Sequence, residues 1–458
     1  MDDSAQRQYD KMTKTPVKQL IIRLAVPTIL SMLITTIYNL VDTAFVGRLG
    51  NSQSAAVGVV FGFMSVLQAI GFMFGQGSGS LLSRKLGERD YETANKTAST
   101  GFFTCFFAGI VLAVTCLILI DPLVVFLGST PTIAPYAKQY IRCLLAVTPF
   151  TVSSFTLNNM LRYEGKAKLG MIGLMLGGVL NIAGDAIFMF VLNMGVFGAG
   201  LSTALSQMVS FSVLLFMFLS GKTQTKLSLC KITYRGKLIS EILVIGFPSL
   251  LRQGLSSVST ILLNLQAAKF AMDEGVAAMS IVNRVAFGVF AIALGIGQGF
   301  QPVCSFNTGA RKFKRLREAY KFTLILACSV LLVLTALLLS FSPRVVGVFR
   351  DDPTVIEIGT RALIVLGIAQ LFLPICLVSE MLMQSSGQKI QAIILSSLRG
   401  GIIYIPALLI LPHFRGMYGV EEAQPLAYVM SVFPALILAK KYFDSIPDED
   451  EPDKNMDS

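Results

Sequence analysis

The sequence predicts an all-α membrane protein: twelve transmembrane helices in two six-helix, pseudo-symmetric lobes around a central cavity. Three observations carry this prediction: a shortage of charged residues, a series of long apolar stretches, and an internal repeat. Of the 458 residues, 53% are apolar or aromatic, 14% are charged, and the mean hydropathy is +0.68. Soluble chains are about one quarter charged. A bilayer is therefore the solvent that this composition requires.

The apolar stretches occur twelve times, and each can cross about 30 Å of hydrocarbon as a helix. None alternates polar and apolar residues as a transmembrane β-strand does. In chain order the predicted spans are 20–46, 54–83, 98–120, 136–161, 169–192, 197–219, 238–268, 277–305, 320–341, 356–383, 390–411 and 423–439. The third is the clearest, whereas the second and eighth are rich in glycine.

The basic residues are distributed unevenly between the loops, and this bias fixes the predicted orientation. With the N-terminus inside, most of the 38 Lys and Arg residues fall in cytoplasmic segments, most densely in 311–321. This is the positive-inside bias of membrane proteins. We therefore expect a multi-pass protein of the cell membrane with both termini in the cytoplasm. The net charge of +11 then needs no nucleic-acid partner.

The spans divide the chain into five segments. They are a cytoplasmic N-terminal segment (1–19), an N-lobe (20–219), a cytoplasmic linker (220–237), a C-lobe (238–440) and an acidic tail (441–458) that we expect to be disordered. The apolar run from Leu20 is too long for the apolar region of a cleavable signal peptide. The seven cysteines form no CxxC pair, which favours small buried side chains over a disulfide or zinc framework.

The second half of the sequence repeats the first after a shift of about 222 residues. The matching segments, in order, include 24–27 (LAVP) with 245–248 (IGFP), 75–77 with 297–299 (both GQG), and 130–133 (TPTI) with 352–355 (DPTV). An even number of helices in each copy gives parallel repeats, related by an axis along the membrane normal. Such an architecture places a cavity between the lobes, which is typical of transporters.

Three acidic residues lie well inside predicted spans: Asp42, Asp185 and Glu380. A charge at the bilayer centre costs about 2.5–3.5 kcal/mol on insertion scales, so each needs a physical reason. Asp42 falls in the outer part of span 1, and Asp185 falls at a comparable depth in span 5. The C-lobe does not repeat this pattern, because the shift of about 222 residues places Ala407 at the position of Asp185.

Two amides and a hydroxyl accompany the two aspartates. Asn39 and Asn181 each precede an aspartate by about one helical turn, and Thr203 lies at a similar depth in span 6. Oxygen-rich and doubly acidic, such a pocket suits Na⁺ or a shared proton. The predicted cation-coupling residues are Asp42, Asn181, Asp185, Thr203 and Asn39, with Na⁺ possible at the first four. The alternative is that these groups only form hydrogen bonds between helices.

The C-lobe carries a different set of charges inside its spans: Arg252, Arg284, Glu380 and Arg399. Glu380 either pairs with an arginine and is structural, or faces the substrate cavity. Glu380 and Arg284 are the candidate substrate-cavity residues. The 32 Phe and 19 Met residues would suit a pliable cavity for bulky apolar cations.

Enzymatic motifs are missing from the sequence. Residues 221–223 (GKT) look like the end of a phosphate-binding loop, but the first glycine of that motif is replaced by Phe216. The single histidine, His413, excludes an HExxH zinc site. We therefore expect no enzyme and no cofactor, and transport that is driven by an ion gradient.

The sequence resembles the MATE (multidrug and toxic compound extrusion) family, in its bacterial branch of multidrug exporters and DinF-like members. The resemblance covers about residues 15–440 and rests on Pro27 and on segments 42–47 (DTAFVG), 162–165 (RYEG) and 298–310 (QGFQPVCSFNTGA). It implies twelve helices in two lobes and export in exchange for Na⁺ or H⁺. It also implies that Asp42, Asn181, Asp185 and Thr203 match the N-lobe cation site of the family.

Two further residues are compared through the resemblance. Pro27 matches a proline at which span 1 bends in some members, so it is the candidate hinge. Some relatives carry a glutamate in span 7 where this sequence has Ser257, so a cation site of that type in the C-lobe is not expected.

The sequence thus favours a monomeric multidrug exporter in the lipid bilayer, with small organic substrates that are bulky and mostly cationic, and with Na⁺ or H⁺ as the coupling ion. An alternative is a flippase for lipid-linked precursors from the same wider superfamily. The arginines of the C-lobe favour that alternative, whereas twelve spans and a doubly acidic lobe argue against it. An intramembrane enzyme is a third hypothesis, which lacks any metal or nucleophile constellation.

Overall fold

The computed structural model describes residues 3–233 and 236–450, without the side chains of residues 3, 4, 39, 40 and 51. These residues form helices and contain no β-strand. Eleven of the helices in this part of the chain are long and apolar enough to cross a membrane. One of them, Gly236–Gly309, contains two spans, because Ala271 and Met272 leave helical geometry in its middle.

The helices follow the predicted spans to within a few residues, apart from longer ends. In chain order they are α1 (Asp3–Lys14), α2 (Val17–Gly47), α3 (Asn51–Gly87), α4 (Tyr91–Ile118), α5 (Ile120–Phe126), α6 (Ala134–Tyr163), α7 (Ala167–Asp185), α8 (Gly195–Leu219), α9 (Gly236–Gly309), α10 (Phe313–Phe349), α11 (Pro353–Gln370), α12 (Leu373–Ser386), α13 (Lys389–Ser397), α14 (Tyr404–Arg415) and α15 (Met417–Asp444). The π-helical segments Ala186–Val191 and Leu398–Ile402 follow α7 and α13. Helices α11 and α12 together cover the tenth predicted span.

Contacts divide the chain into two compact units. The first unit comprises Met1–Tyr9 and Leu30–Leu250, and the second comprises Asp10–Ile29 and Leu251–Ser458. The lobe boundaries from the sequence follow helix ends, whereas this division passes through α1, α2 and α9. The predicted lobes and the two units therefore divide the chain by different criteria. The lobes follow the sequence repeat, and the units follow which residues pack together.

Glycines explain why part of α2 packs in the second unit and the start of α9 packs in the first. In the second unit, a Cβ atom at Gly299 would lie 2.6 Å from the Cα atom of Ala25 in α2. In the first unit, a Cβ atom at Gly246 of α9 would collide with the carbonyl oxygen of Met73 in α3. Each crossing therefore requires glycine, because any side chain would overlap the neighbouring helix. Small residues permit such close approach of transmembrane helices.

Gly246→Ala is expected to destabilise the protein by about 1–3 kcal/mol, because the added methyl group overlaps the backbone of α3. Gly288→Ala is the matched control, since a Cβ atom there meets no other atom within 4 Å. Thermal unfolding of the two purified variants in detergent measures the difference. Equal midpoints for both variants would show that the crossing relaxes without cost.

The predicted linker is fastened to the first unit. The carboxylate of Glu164, which is buried, accepts hydrogen bonds from the backbone N–H groups of Gln224 (2.7 Å) and Thr225 (3.0 Å). The side-chain oxygen of Asn95 accepts one from the N–H group of Lys226 (2.5 Å). These bonds fix the path of the linker along its lobe.

Both terminal segments contain structure that the sequence analysis did not predict. Residues 3–14 form α1, in which Tyr9 and Met12 are buried. At the other end α15 continues to Asp444, and the carboxylate of Asp448 lies 2.9 Å from the guanidinium group of Arg317. Residues 451–458, the last part of the predicted acidic tail, lie outside the described residues.

Candidate cation-coupling site

In the first unit, Asn181 and Asp185 lie where α7 crosses α8. Asn181 and Asp185 are four residues apart in α7, so their side chains share one face of that helix. A Cβ atom at Gly184 would lie 2.5 Å from the hydroxyl oxygen of Ser202, which explains how closely α8 approaches. Asp185 is the last residue of α7 before the π-helical segment Ala186–Val191. Short π-helical turns occur frequently at functional sites.

Neutral polar groups from three helices converge at this crossing. The side-chain amide of Asn181 donates to the hydroxyl oxygens of Thr203 (3.3 Å) and Ser202 (3.5 Å). The hydroxyl groups of Tyr140 and Thr203 are 3.4 Å apart. All four of these side chains are buried. The network therefore places several uncharged oxygen atoms within one buried site.

The two aspartates face each other. The carboxyl groups of Asp42 and Asp185 lie within hydrogen-bonding reach of each other, and Asp185 is completely buried. Among the described residues, the hydroxyl group of Ser202 lies close to Asp185, but no donor meets hydrogen-bond geometry at either carboxylate oxygen of Asp185 or at the Oδ1 atom of Asp42. Two carboxylates at this separation repel each other unless a proton or a cation lies between them. The pair of carboxylates can therefore bind and release one proton or one singly charged cation.

Asp42 lines a cavity within the first unit, and Asp185 lies behind it, fully buried. The cavity volume that water molecules can occupy is about 90 Å³, which is room for several waters at roughly 10–15 Å³ each. Its lining includes Tyr38, Asp42, Tyr140, Asn181 and Thr203, with further polar side chains from α3 and α8. The cavity therefore has room for a small ion or water beside Asp42, between polar side chains and apolar ones such as Phe61 and Phe155.

The donor set limits what the site can bind. In the part of the chain that the structure describes, no group of three or more His, Cys, Asp or Glu side chains could hold a metal ion. The site offers two carboxylates with amide, hydroxyl and phenol oxygens, which are hard ligands. This set matches a singly charged cation or a proton better than a transition metal.

The structure brings together four of the five residues predicted for the site: Asp42, Asn181, Asp185 and Thr203. The side chain of Asn39 lies outside the described residues. Sequence reasoning missed three participants: Tyr38, Tyr140 and Ser202, the last of which is the direct neighbour of Thr203 in α8. Tyr38 lies one helical turn before Asp42, so its position on the same face of α2 was a signal that could have identified it. Tyr140 had no such signal, because it comes from α6.

The candidate residues of the second unit have separate surroundings. Glu380 pairs with Arg252 at 2.5 Å, and both side chains are buried. This is the arrangement that the structural interpretation of Glu380 requires. Arg284 is exposed in α9, with no ion pair among the described residues. Pro27 lies inside α2, which continues as a helix through it.

Comparison with known proteins identifies the class to which this fold belongs. The family model MatE matches residues 27–187 and 248–410, which is more than half of the chain. The chain therefore belongs to the MatE family, and the membership predicted from the sequence is confirmed. The two matched ranges also follow the two halves of the internal repeat.

Individual relatives cover nearly the full length of the chain. It is 25% identical over 426 residues to the multidrug export protein MepA of Staphylococcus saprophyticus, covering 93% of this chain and 94% of that protein. For MepA of Staphylococcus aureus strain NCTC 8325 / PS 47, identity is 26% over 428 residues, with the same coverage.

The fold is shared with solved transporters. A multidrug resistance MATE family transporter of the MOP superfamily, solved in an outward-facing conformation, superimposes with a TM-score of 0.90 at 26% identity. The superposition covers 95% of this chain and 97% of that transporter. The predicted fold class, an all-α membrane protein with twelve spans in two lobes, is confirmed.

Proposed function

We propose that this protein is a secondary multidrug exporter, which moves bulky and mostly cationic organic compounds out of the cell in exchange for Na⁺ or H⁺. The observation that carries the proposal is the facing pair of Asp42, which lines a cavity, and Asp185, which is fully buried. Membership of the MatE family and relatives that are multidrug export proteins support it. Neither relatives nor fold favour the flippase alternative.

The coupling role of the pair follows from its electrostatics. A proton or Na⁺ that enters between the carboxylates relieves their repulsion and stabilises the conformation that holds it. By linkage, that conformation must in turn bind the cation more tightly. If the organic substrate binds better to the other conformation, substrate and ion are exchanged across the membrane without contacting each other. Asn181 and Thr203 supply neutral oxygen ligands for Na⁺.

The other proposed properties follow from the sequence and from this role. The exporter acts as a monomer in the cell membrane, with no cofactor besides the coupling ion. Pro27 is the proposed hinge of α2, because a proline inside a helix removes a backbone hydrogen bond and permits bending.

Transport by membrane vesicles tests the proposal directly. Vesicles that contain the protein are loaded with a fluorescent organic cation, and a pH gradient and a Na⁺ gradient are imposed separately. We expect at least one gradient to drive the dye out against its own concentration gradient. Retention of the dye under both gradients, with the protein present and folded, would refute the exporter.

The proposed orientation makes a separate prediction, because the dense basic loop should be cytoplasmic. In a cysteine-free background, Asp351→Cys is expected to react from outside intact cells with a membrane-impermeant thiol reagent. Lys314→Cys should react only after the cells are opened. Lys314 lies in the first turn of α10, and Asp351 follows the other end of that helix. External labelling at position 314 would reverse the topology.

A further inference from the structure

The basic segment 311–321 presents a stripe of positive charge at the start of α10. Six of its eleven residues are Lys or Arg. Lys314, Arg317 and Lys321 follow each other in α10 at spacings of three and four residues, so they share one face of the helix. The opposite face, which includes Leu316, is buried. The basic stripe (Lys314, Arg317 and Lys321) is therefore the outward side of this helix end.

The C-terminal segment of the chain lies against the basic stripe. The carboxylate of Asp448 is 2.9 Å from the guanidinium group of Arg317. The carboxylate of Asp450 accepts a hydrogen bond of 2.8 Å from the backbone N–H group of Lys314, in the first turn of α10. Six of the ten residues 444–453 are acidic. An acidic segment of the chain is thus seated on a basic one.

The two carboxylates are held weakly, whereas the end of α15 is anchored. The side chain of Asp448 is 91% exposed, and exposed ion pairs contribute little because water and salt screen them. The ring of Phe443, by contrast, packs against that of Tyr320, with centroids 5.1 Å apart. Arg317 also donates to the carbonyl oxygen of Ile446 (3.0 Å). The chain from Ile446 onward can therefore leave α10 while α15 stays in place.

The inner end of the basic stripe lies at the membrane surface. Lys321 is the second residue of the predicted span 320–341, and its exposed side chain has no acidic partner among the described residues. A lysine at this depth extends its ammonium group to the level of the lipid headgroups. Anionic headgroups attract Lys and Arg side chains near their surface. The basic stripe thus runs from the headgroups to the seated carboxylates.

From this arrangement we propose that the basic stripe binds the phosphate groups of anionic phospholipids in the cytoplasmic leaflet. The acidic cover (residues 446–450) occupies the stripe until such lipids displace its carboxylates. Lipid phosphate and the cover compete because both offer anionic oxygens to the same guanidinium and ammonium groups. The proposal uses the orientation proposed above and is independent of the export function.

A tryptophan reporter tests the displacement, because the sequence contains no tryptophan. Ile446→Trp places the reporter at a half-buried position in the acidic cover. Its quenching by acrylamide is measured in phosphatidylcholine nanodiscs with an increasing fraction of phosphatidylglycerol. We expect a shielded reporter in phosphatidylcholine and an accessible one as phosphatidylglycerol is added. A reporter that is as accessible in phosphatidylcholine as in the denatured chain, or that phosphatidylglycerol does not expose, would overturn the proposal.

Two pairs of tail carboxylates provide a matched comparison. Asp448→Asn with Asp450→Asn should lower the phosphatidylglycerol fraction that releases the cover by about fivefold, the upper value of one exposed ion pair. Asp444→Asn with Glu449→Gln removes the same charge, but neither side chain has an ion pair or hydrogen bond among the described residues. This control should leave the fraction nearly unchanged. Equal shifts would show that net charge alone matters and would overturn the seated cover.

Lys321→Gln separates lipid binding from simple repulsion between the membrane and the acidic cover. Under the proposal, Lys321 attracts lipid, so its loss should raise the phosphatidylglycerol fraction by about fivefold, the value of one basic side chain at an anionic surface. Under repulsion alone, losing a nearby positive charge would loosen the cover and lower that fraction. An unchanged or lower fraction would therefore overturn the proposal. Lys18→Gln, at an exposed lysine of α2, is the control and should keep the fraction of the parent reporter.

Hydrogen exchange repeats the measurement on the full chain without a reporter. The amide of Lys314 is bonded to Asp450, so segment 312–316 should exchange faster when phosphatidylglycerol is present. Soluble glycerol phosphate, at the same phosphate concentration with phosphatidylcholine nanodiscs, should leave the exchange unchanged. Equal acceleration by glycerol phosphate would assign the stripe to free phosphate, and no acceleration by either would leave the cover in place. Both results would overturn the lipid proposal.

Discussion

Asp185→Asn is expected to reduce ion-driven efflux by about 100-fold, near the upper range of measured coupling between sites. The amide has the shape of the carboxylic acid, but it can neither release a proton nor attract Na⁺. The variant should therefore behave as if its site were permanently occupied. Asp42→Asn should have the same effect, because the two carboxyl groups form one site. Initial efflux rates from proteoliposomes under each gradient measure the loss.

The exposed Asp351 provides the control, since Asp351→Asn removes a carboxylate without touching the site. Its rate should equal that of the wild type. Thr203→Ala removes one neutral oxygen and should shift the Na⁺ or pH dependence while keeping transport. Wild-type rates and an unchanged ion dependence in both aspartate variants would show that the pair serves helix packing alone.

The second large effect is expected at the buried ion pair of the second unit. Glu380→Gln leaves the guanidinium group of Arg252 without its partner, at a cost of about 3–5 kcal/mol. Expression yield and the thermal midpoint should both fall. The double variant Glu380→Leu with Arg252→Met should recover much of the loss, because apolar residues of similar volume can replace a buried pair.

The alternative role for Glu380 predicts a different pattern. If Glu380 contacted the substrate, Glu380→Gln would keep a normal yield and midpoint while the range of exported cations narrowed. The double variant would then be inactive although stable. Measuring yield, midpoint and substrate range on the same preparations separates the two roles.

The fold was predictable because membrane helices depend on composition over short windows. Long apolar runs reveal the spans, and the repeat reveals the two copies, without any knowledge of tertiary contacts. The structure adds details that such windows do not contain. The two π-helical segments change the path of the chain inside predicted spans. The helix α1 was missed because its sequence is polar overall, although buried Tyr9 and Met12 lie three residues apart.

The part of the site that lies on a single helix was predictable from residue spacing. Asn181 and Asp185 share a face by their spacing alone, and their depth matches that of Asp42. Partners that meet only in the folded chain were not predictable: Tyr140 reaches Thr203 from 63 residues away. The same reason left the role of Glu380 open, because Arg252 is 128 residues distant.

Ion movement driven by substrate alone tests the central claim most directly. Proteoliposomes with equal pH and equal Na⁺ on both sides receive a gradient of an organic cation, and internal pH and ²²Na⁺ are followed. The account predicts that H⁺ or Na⁺ moves against the direction of the organic cation with the wild type, and that this movement is absent in Asp185→Asn. Organic cation flux without any movement of either ion, or equal ion movement in Asp185→Asn, would contradict it.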